Sequence, residues 1–184
     1  IKNGSLESFQ SYFTDPLNNT IAGAGQLDIY NVGTGELVSS ITLPNGIEGN
    51  NITVDADGNA YITDFANPRI LKYDVTTNQI SLWADTDFIF LGGVVLDEAG
   101  NVYVHGGVEN ALLQIAVNAD GSAGTQTDIN ITGEALIAGD GLTYAGNNTF
   151  FSTSNVNSVL RITLDGEGGG VAENVIPTDP DMFP

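Results

Sequence analysis

The residues best equipped for chemistry in this chain are oxygen donors at one recurring place in a repeated pattern. Four copies of the pattern can be laid side by side: IKNGSLESFQSYFTD (1–15), NNITVDADGNAYITD (50–64), GGVVLDEAGNVYVHG (92–106) and DGLTYAGNNTFFSTS (140–154). Their first positions are Ile1, Asn50, Gly92 and Asp140. An Asn amide oxygen and an Asp carboxylate are ligand types that hold calcium or another hard cation. Two such ligands fall short of a coordination shell, and Gly92 adds no side chain. The same two residues could instead end strands and bond to local backbone.

Composition narrows the other chemistries. The chain has no Cys, so it can form no disulfide, thiolate zinc site or Cys nucleophile. A Ser-His-Asp arrangement would have to use His105, the only histidine, which holds the place of Thr63 in the preceding copy. A lone His at a strand end either faces a channel as a general base or sits as a satisfied structural residue. Asp55-Ala56-Asp57-Gly58-Asn59 begins like an EF-hand loop but lacks the later ligands and the flanking helices. It reads as a hairpin turn, as does its cousin Asp97-Glu98-Ala99-Gly100-Asn101. Trp83, followed by Phe88, Ile89 and Phe90, either packs between sheets or binds a sugar or partner. Arg69, Lys72 and Arg161 are expected to pair with carboxylates such as Asp64 or Asp74. Loop 16–25, PLNNTIAGAG, either covers a channel mouth or is a variable surface loop.

Charge decides which partners are excluded. Four Lys and Arg stand against 23 Asp and Glu, a net charge of −19. Phosphate backbones and anionic membrane surfaces need clustered cations, so nucleic acid and membrane are not expected partners. A cation, or a neutral or positively charged ligand, is easier to accept. An acidic surface also simply keeps a protein soluble. No apolar run reaches the length that spans a bilayer. Five Asn-X-Ser/Thr sequons, at Asn3, Asn18, Asn51, Asn130 and Asn147, permit an extracellular, secreted location.

The elements that must position Asn50 and Asp140 are all strands. No helical period appears, and the 23 Gly, with Asn-Gly and Asp-Gly pairs, suit tight hairpins. The second copy predicts strands at 52–55, 60–64, 69–75 and 79–84; the third predicts 94–97, 101–106, 111–117 and 125–131. The fourth predicts 142–145, 149–154, 158–164 and 170–176. The first predicts 11–15, 26–32 and 36–43, with its opening strand barely present. In RILKYDV, Ile70, Lys72 and Asp74 fall on one face and Leu71, Tyr73 and Val75 on the other. A strand-only repeat of this size predicts an all-β fold: a β-propeller built of four-stranded antiparallel blades. The chain reads as one propeller domain with four blades visible, at about 1–45, 46–88, 89–135 and 136–184, part of a six-bladed ring and incomplete at both ends. The start of each inner strand then lies at one channel mouth, which gathers Asn50 and Asp140.

At this point the residues resemble a known family. PNGIEGNNITVDADGNAYITDFANPRILKYDV and GDGLTYAGNNTFFST are similar to the gluconolactonase and senescence-marker-protein group, NHL-type six-bladed propellers related to paraoxonases and strictosidine-synthase-like proteins. The resemblance covers most of residues 10–177. It implies a divalent cation, calcium, in the channel and hydrolysis of small lactones or esters. It makes Asn50 a channel Asn and Asp140 the channel Asp that also serves as base. The chain departs from the pattern at Gly92-Gly93, where such enzymes carry a second Asn, and no Glu can be placed as a further ligand. Two functions are therefore expected in competition. One is a divalent-metal-dependent hydrolase with a small molecule in the central channel. The other is a non-catalytic secreted or surface propeller that binds protein or carbohydrate, with protein partners at exposed blade edges.

Overall fold

The computed structural model describes residues 5–10, 25–154 and 158–176. Ile1, the strand expected at 11–15, most of loop 16–25 and the sequons at Asn3 and Asn18 lie outside the described residues. Every described element is a strand. They are β1 Ser5–Gln10, β2 Gln26–Asn31, β3 Leu37–Thr42, β4 Gly49–Val54, β5 Ala60–Asp64, β6 Arg69–Asp74 and β7 Gln79–Asp85. There follow β8 Val94–Leu96, β9 Val102–Val104, β10 Ala111–Val117, β11 Ala123–Gly133, β12 Gly139–Gly146, β13 Thr149–Ser154, β14 Ser158–Leu164 and β15 Gly169–Asn174.

Strands pair with their sequence neighbours as antiparallel meanders, β1-β2-β3, β4-β5-β6-β7, β8-β9-β10-β11 and β12-β13-β14-β15. Each is one propeller blade. β1 lies against β4, β4 against β8, and β8 against β12, so the first strands of successive blades adjoin. The turns between the first and second strands of the second and third blades repeat one device. In the second blade, Asp55 Oδ1 accepts the N–H groups of Asp57 and Asn59, Asp55 Oδ2 accepts from Asn59 Nδ2, and Gly58 takes φ +93°. Asp97, Ala99 and Asn101 repeat those bonds. The Asp55 carboxylate is consumed in capping its own hairpin, which excludes the EF-hand reading.

The blades are held face to face by apolar residues whose two-residue alternation sends them to opposite sides. Leu71 and Tyr73 of β6 pack with Leu27, Ile29 and Leu43 of the first blade, while Ile70 packs with Val94, Val104 and Leu113 of the third. Tyr103, Leu112 and Ile129 pack with Phe150, Leu160 and Ile162 between the third and fourth blades. β5 is buried along its whole length because both its faces are covered. Trp83 belongs to this packing: its ring meets Tyr61 edge-on at 4.8 Å and its Nε1 donates to Gly121 O at 3.0 Å.

Several features differ from the sequence reading: β4 and β12 begin at Gly49 and Gly139 rather than at 52 and 142, which places Asn50 and Asp140 inside the inner strands. The opening copy was expected to have scarcely a first strand, yet Ser5–Gln10 forms β1 and pairs directly with β2. SLESFQ has no clean alternation, so only its partner strand identifies it. The outer strand of the third blade is also longer than 125–131. Its extension pairs in parallel with β15, Asn130–Gly133 against Gly169–Ala172, and joins two blades into one eight-stranded sheet. Gly133 makes that approach possible, since a Cβ there would stand 2.4 Å from Ala172 O.

Candidate functional site

The inner strands β4 and β12 carry the same irregularity at the same place. In the β4–β5 pair the register passes from Gly49↔Asp64 to Ile52↔Ile62, so Asn50 and Asn51 oppose Thr63 alone. In the β12–β13 pair it passes from Gly139↔Ser154 to Leu142↔Ser152, so Asp140 and Gly141 oppose Thr153 alone. A bulge of this kind strands one N–H and re-aims the neighbouring side chain. Each stranded N–H finds the opposing hydroxyl: Asn51 donates to Thr63 Oγ1 at 3.0 Å and Gly141 to Thr153 Oγ1 at 2.9 Å. Sequence reasoning missed these two threonines. Their signal was a Thr at the same position of two copies.

The third blade has His105 at that position. Gly92 N–H donates to His105 O while His105 N–H donates to Gly93 O, so here too two residues oppose one, with an imidazole in place of the hydroxyl.

Asn50 and Asp140 stand on either side of Leu91–Gly93. Asn50 is half-buried, and its Nδ2 donates to Leu91 O at 3.0 Å, which leaves Oδ1 as an acceptor. Asp140 is exposed, and its backbone abuts Gly92. A Cβ added at Gly92 would lie 2.5 Å from Gly139 O and 3.1 Å from Asp140 O. At Gly93 it would meet Leu142 N at 2.3 Å. The glycines are thus required by close backbone approach, and no side-chain ligand can enter from Gly92.

His105 lies just beneath Asp140 and is fully buried. Its Nδ1 and Ser152 Oγ are 3.3 Å apart, and its Nε2 has no hydrogen-bond partner. A Cβ on Gly139 would stand 2.1 Å from the ring, so Gly139 makes room for the imidazole. Burial pushes His105 down to about 4, against the opposing pull of the Asp140 backbone and carboxylate. A neutral imidazole sealed from solvent joins two blades and is poorly placed to exchange protons with a ligand.

The donor types at Asn50 and Asp140 suit a hard cation, but they supply two side-chain oxygens where calcium takes six to eight. Among the described residues no group of three or more His, Asp or Glu could hold a metal ion. Nearby, Asp64 is fully buried and occupied: it accepts from Glu48 N, Ala66 N, Asn67 Nδ2 and Arg69 Nε. Arg69 therefore has the expected carboxylate partner. Arg161 pairs with Glu173, and Lys72 donates to Gly121 O. Among the described sequons, Asn147 is exposed in the turn after β12, while Asn51 has its Oδ1 bonded to Ile52 N–H. No helix of the described residues is long and apolar enough to cross a membrane.

No protein-family model and no curated protein matches the sequence. Solved structures do resemble the fold. Virginiamycin B lyase from Staphylococcus aureus superposes with a TM-score of 0.61 at 15% identity, over 95% of this chain and 61% of that one. A streptogramin B lyase gives a TM-score of 0.64 at 14% identity, over 95% and 60%. A protein assigned as a gluconolactonase gives 0.63 at 18% identity, over 83% and 57%. The chain spans about three fifths of the length of these structures. At such identities the likeness concerns the backbone, and it establishes for this chain a β-propeller fold of the kind shared by the gluconolactonase and the two lyases.

Proposed function

We propose that the mouth at Asn50, Leu91–Gly93 and Asp140 binds a small molecule, and that the protein is a gluconolactonase-like hydrolase of small lactones or esters. One observation carries this reading. The same bulge, capped by the same Thr, presents Asn50 and Asp140 from the two strands that flank β8. Bulges of this kind aim side chains at sites. The gluconolactonase-type fold supports the reaction class by analogy.

In this reading Asn50 Oδ1 and the Asp140 carboxylate would hold a calcium ion, with water and substrate oxygens completing its shell. A bound cation of this kind polarises a carbonyl and lowers the pKa of water. The exposed Asp140 accepts the proton of the water as its oxygen bonds to the carbonyl carbon; the carbonyl–oxygen bond of the lactone or ester then breaks and the leaving oxygen takes that proton back from Asp140, giving the acid and the alcohol. Asn50 is anchored by its Nδ2 bond to Leu91 O, which fixes the direction of Oδ1. Asp140→Ala is expected to abolish lactone and ester hydrolysis that depends on calcium. Thermal melts with added calcium and with chelator report the ion separately, since a ligand of the native state raises Tm by mass action. Unchanged turnover in Asp140→Ala ends the proposal.

A second reading, a non-catalytic binding propeller, is favoured by Gly92. The space where a third ligand would project is filled by the Gly139 and Asp140 backbone. Absence of both a calcium-dependent Tm shift and hydrolysis selects it.

A further inference from the structure

At the strand ends that carry Asn50 and Asp140, several apolar side chains are reached by solvent. Phe65 follows β5, Ile89 and Phe90 precede β8, Val108 lies between β9 and β10, and Ile137 precedes β12. They are 40 to 57% exposed. The segments carrying them are joined. The Phe65 and Phe90 rings lie 5.5 Å apart at 41°. Gly107 N–H donates to Ile89 O at 3.0 Å, and Ala138 N–H donates to Gly107 O at 2.9 Å. A patch on the order of a few hundred Å² is the size at which exposed apolar surface carries function in soluble proteins.

The backbone of Phe90 adds a second observation. Its φ is +53°, in the left-handed region that bulky residues avoid. Ala138, two residues before Asp140 as Phe90 is two before Gly92, has φ +51°. The conformation therefore belongs to the turn into the inner strand, and Gly would occupy it without strain. Phenylalanine is held there with its ring only partly covered.

Charge restricts the occupant. Arg69, the described cation at this end, has its guanidinium held by Asp64 Oδ2 at 2.7 Å and Gly46 O at 3.0 Å. Lys72 and Arg161 are engaged by Gly121 O and Glu173. The chain carries −19 overall, so an anionic ligand meets repulsion with no unengaged cation among the described residues to offset it. The Phe, Ile and Val side chains of the rim offer a polyhydroxylated sugar no hydrogen bonds.

The geometry points to a neutral lactone or ester bearing an alkyl chain or aromatic ring, its apolar part on Phe65 and Phe90 and its carbonyl end toward Asp140. The carbonyl end rests on the hydrolase reading; the apolar grip does not require turnover. Calorimetric titration of the Asp140→Ala protein with γ-butyrolactone, γ-octalactone and γ-decalactone tests it, with glucono-δ-lactone as the polar comparison. Affinity is expected to rise about threefold per added methylene, and glucono-δ-lactone is expected to bind no better than γ-butyrolactone. Adding Phe90→Gly to that protein removes the ring and relaxes the backbone, so it is expected to melt no lower while losing about tenfold in affinity for γ-decalactone. Equal affinity across the series overturns the proposal, as does unchanged binding in Phe90→Gly and Phe65→Ser. A dimer that Phe90→Gly dissociates would assign the rim to a second copy and overturn it too. Chain-length-dependent binding with no hydrolysis by the Asp140 protein would keep the rim and remove the hydrolase. Hydrolysis indifferent to chain length and to Phe90→Gly would do the reverse.

Discussion

The buried imidazole of His105 makes acid sensitivity a quantitative test of the packing between the third and fourth blades. In the unfolded chain a His titrates near 6.5, whereas burial lowers His105 to about 4. The unfolded state therefore binds the extra proton first as pH falls. Stability from this group is complete above about pH 6.5 and is lost progressively as pH falls toward about 4. At about 1.4 kcal/mol per pKa unit the full loss is about 3 kcal/mol, of which about 2 kcal/mol falls between pH 7 and pH 5. For a chain of this length that is a fall in Tm of roughly 4 to 8 °C. Because His105 is the only histidine, its ring proton resonance can be followed without assignment, and its midpoint is expected well below 5. Thermal melts of the parent and of His105→Phe at pH 7 and pH 5 supply the energetic half. The 23 Asp and Glu titrate in both proteins, so the difference in slope isolates the imidazole. A ring titrating near 6.5, or equal pH dependence in His105→Phe, refutes the argument.

Two further expectations concern the backbone of the mouth. Gly92→Ala drives a methyl group to 2.5 Å from Gly139 O and should cost about 2 to 3 kcal/mol in urea unfolding, whereas Gly100→Ala, with open space at its Cβ, should cost less and only through its φ of +86°. Thr63→Val leaves Asn51 N–H and Gly92 O unpaired in a buried place, at a cost of about 2 kcal/mol; Thr153→Val, where water reaches the exposed bulge, should cost under about 1 kcal/mol by the same measurement. Equal losses for the two threonines would show that burial does not set the difference.

Local pattern determined much of this protein. The strands β5, β10, β13 and β14 coincide with the spans expected from alternation, because apolar residues at every second position and the Asp-Gly or Asn turns that end them are neighbours in sequence. The repeat period carried the propeller, and the first position of each repeat carried Asn50 and Asp140. What remained hidden depends on contacts between residues far apart. The stranded N–H groups of the bulges are satisfied because Thr63 and Thr153 stand opposite them, and the glycines at the entry of β8 are required by the backbone of Gly139 and Asp140 in another blade. The parallel joining of β11 to β15 follows from glycines about forty positions apart. The neighbouring of the segments that carry Phe65, Phe90, Val108 and Ile137 has the same origin: four loops separated along the chain meet only when the blades turn about an axis. Periodicity is a property of one strand and can be read from it, whereas the void a side chain may fill is defined by its neighbour's backbone.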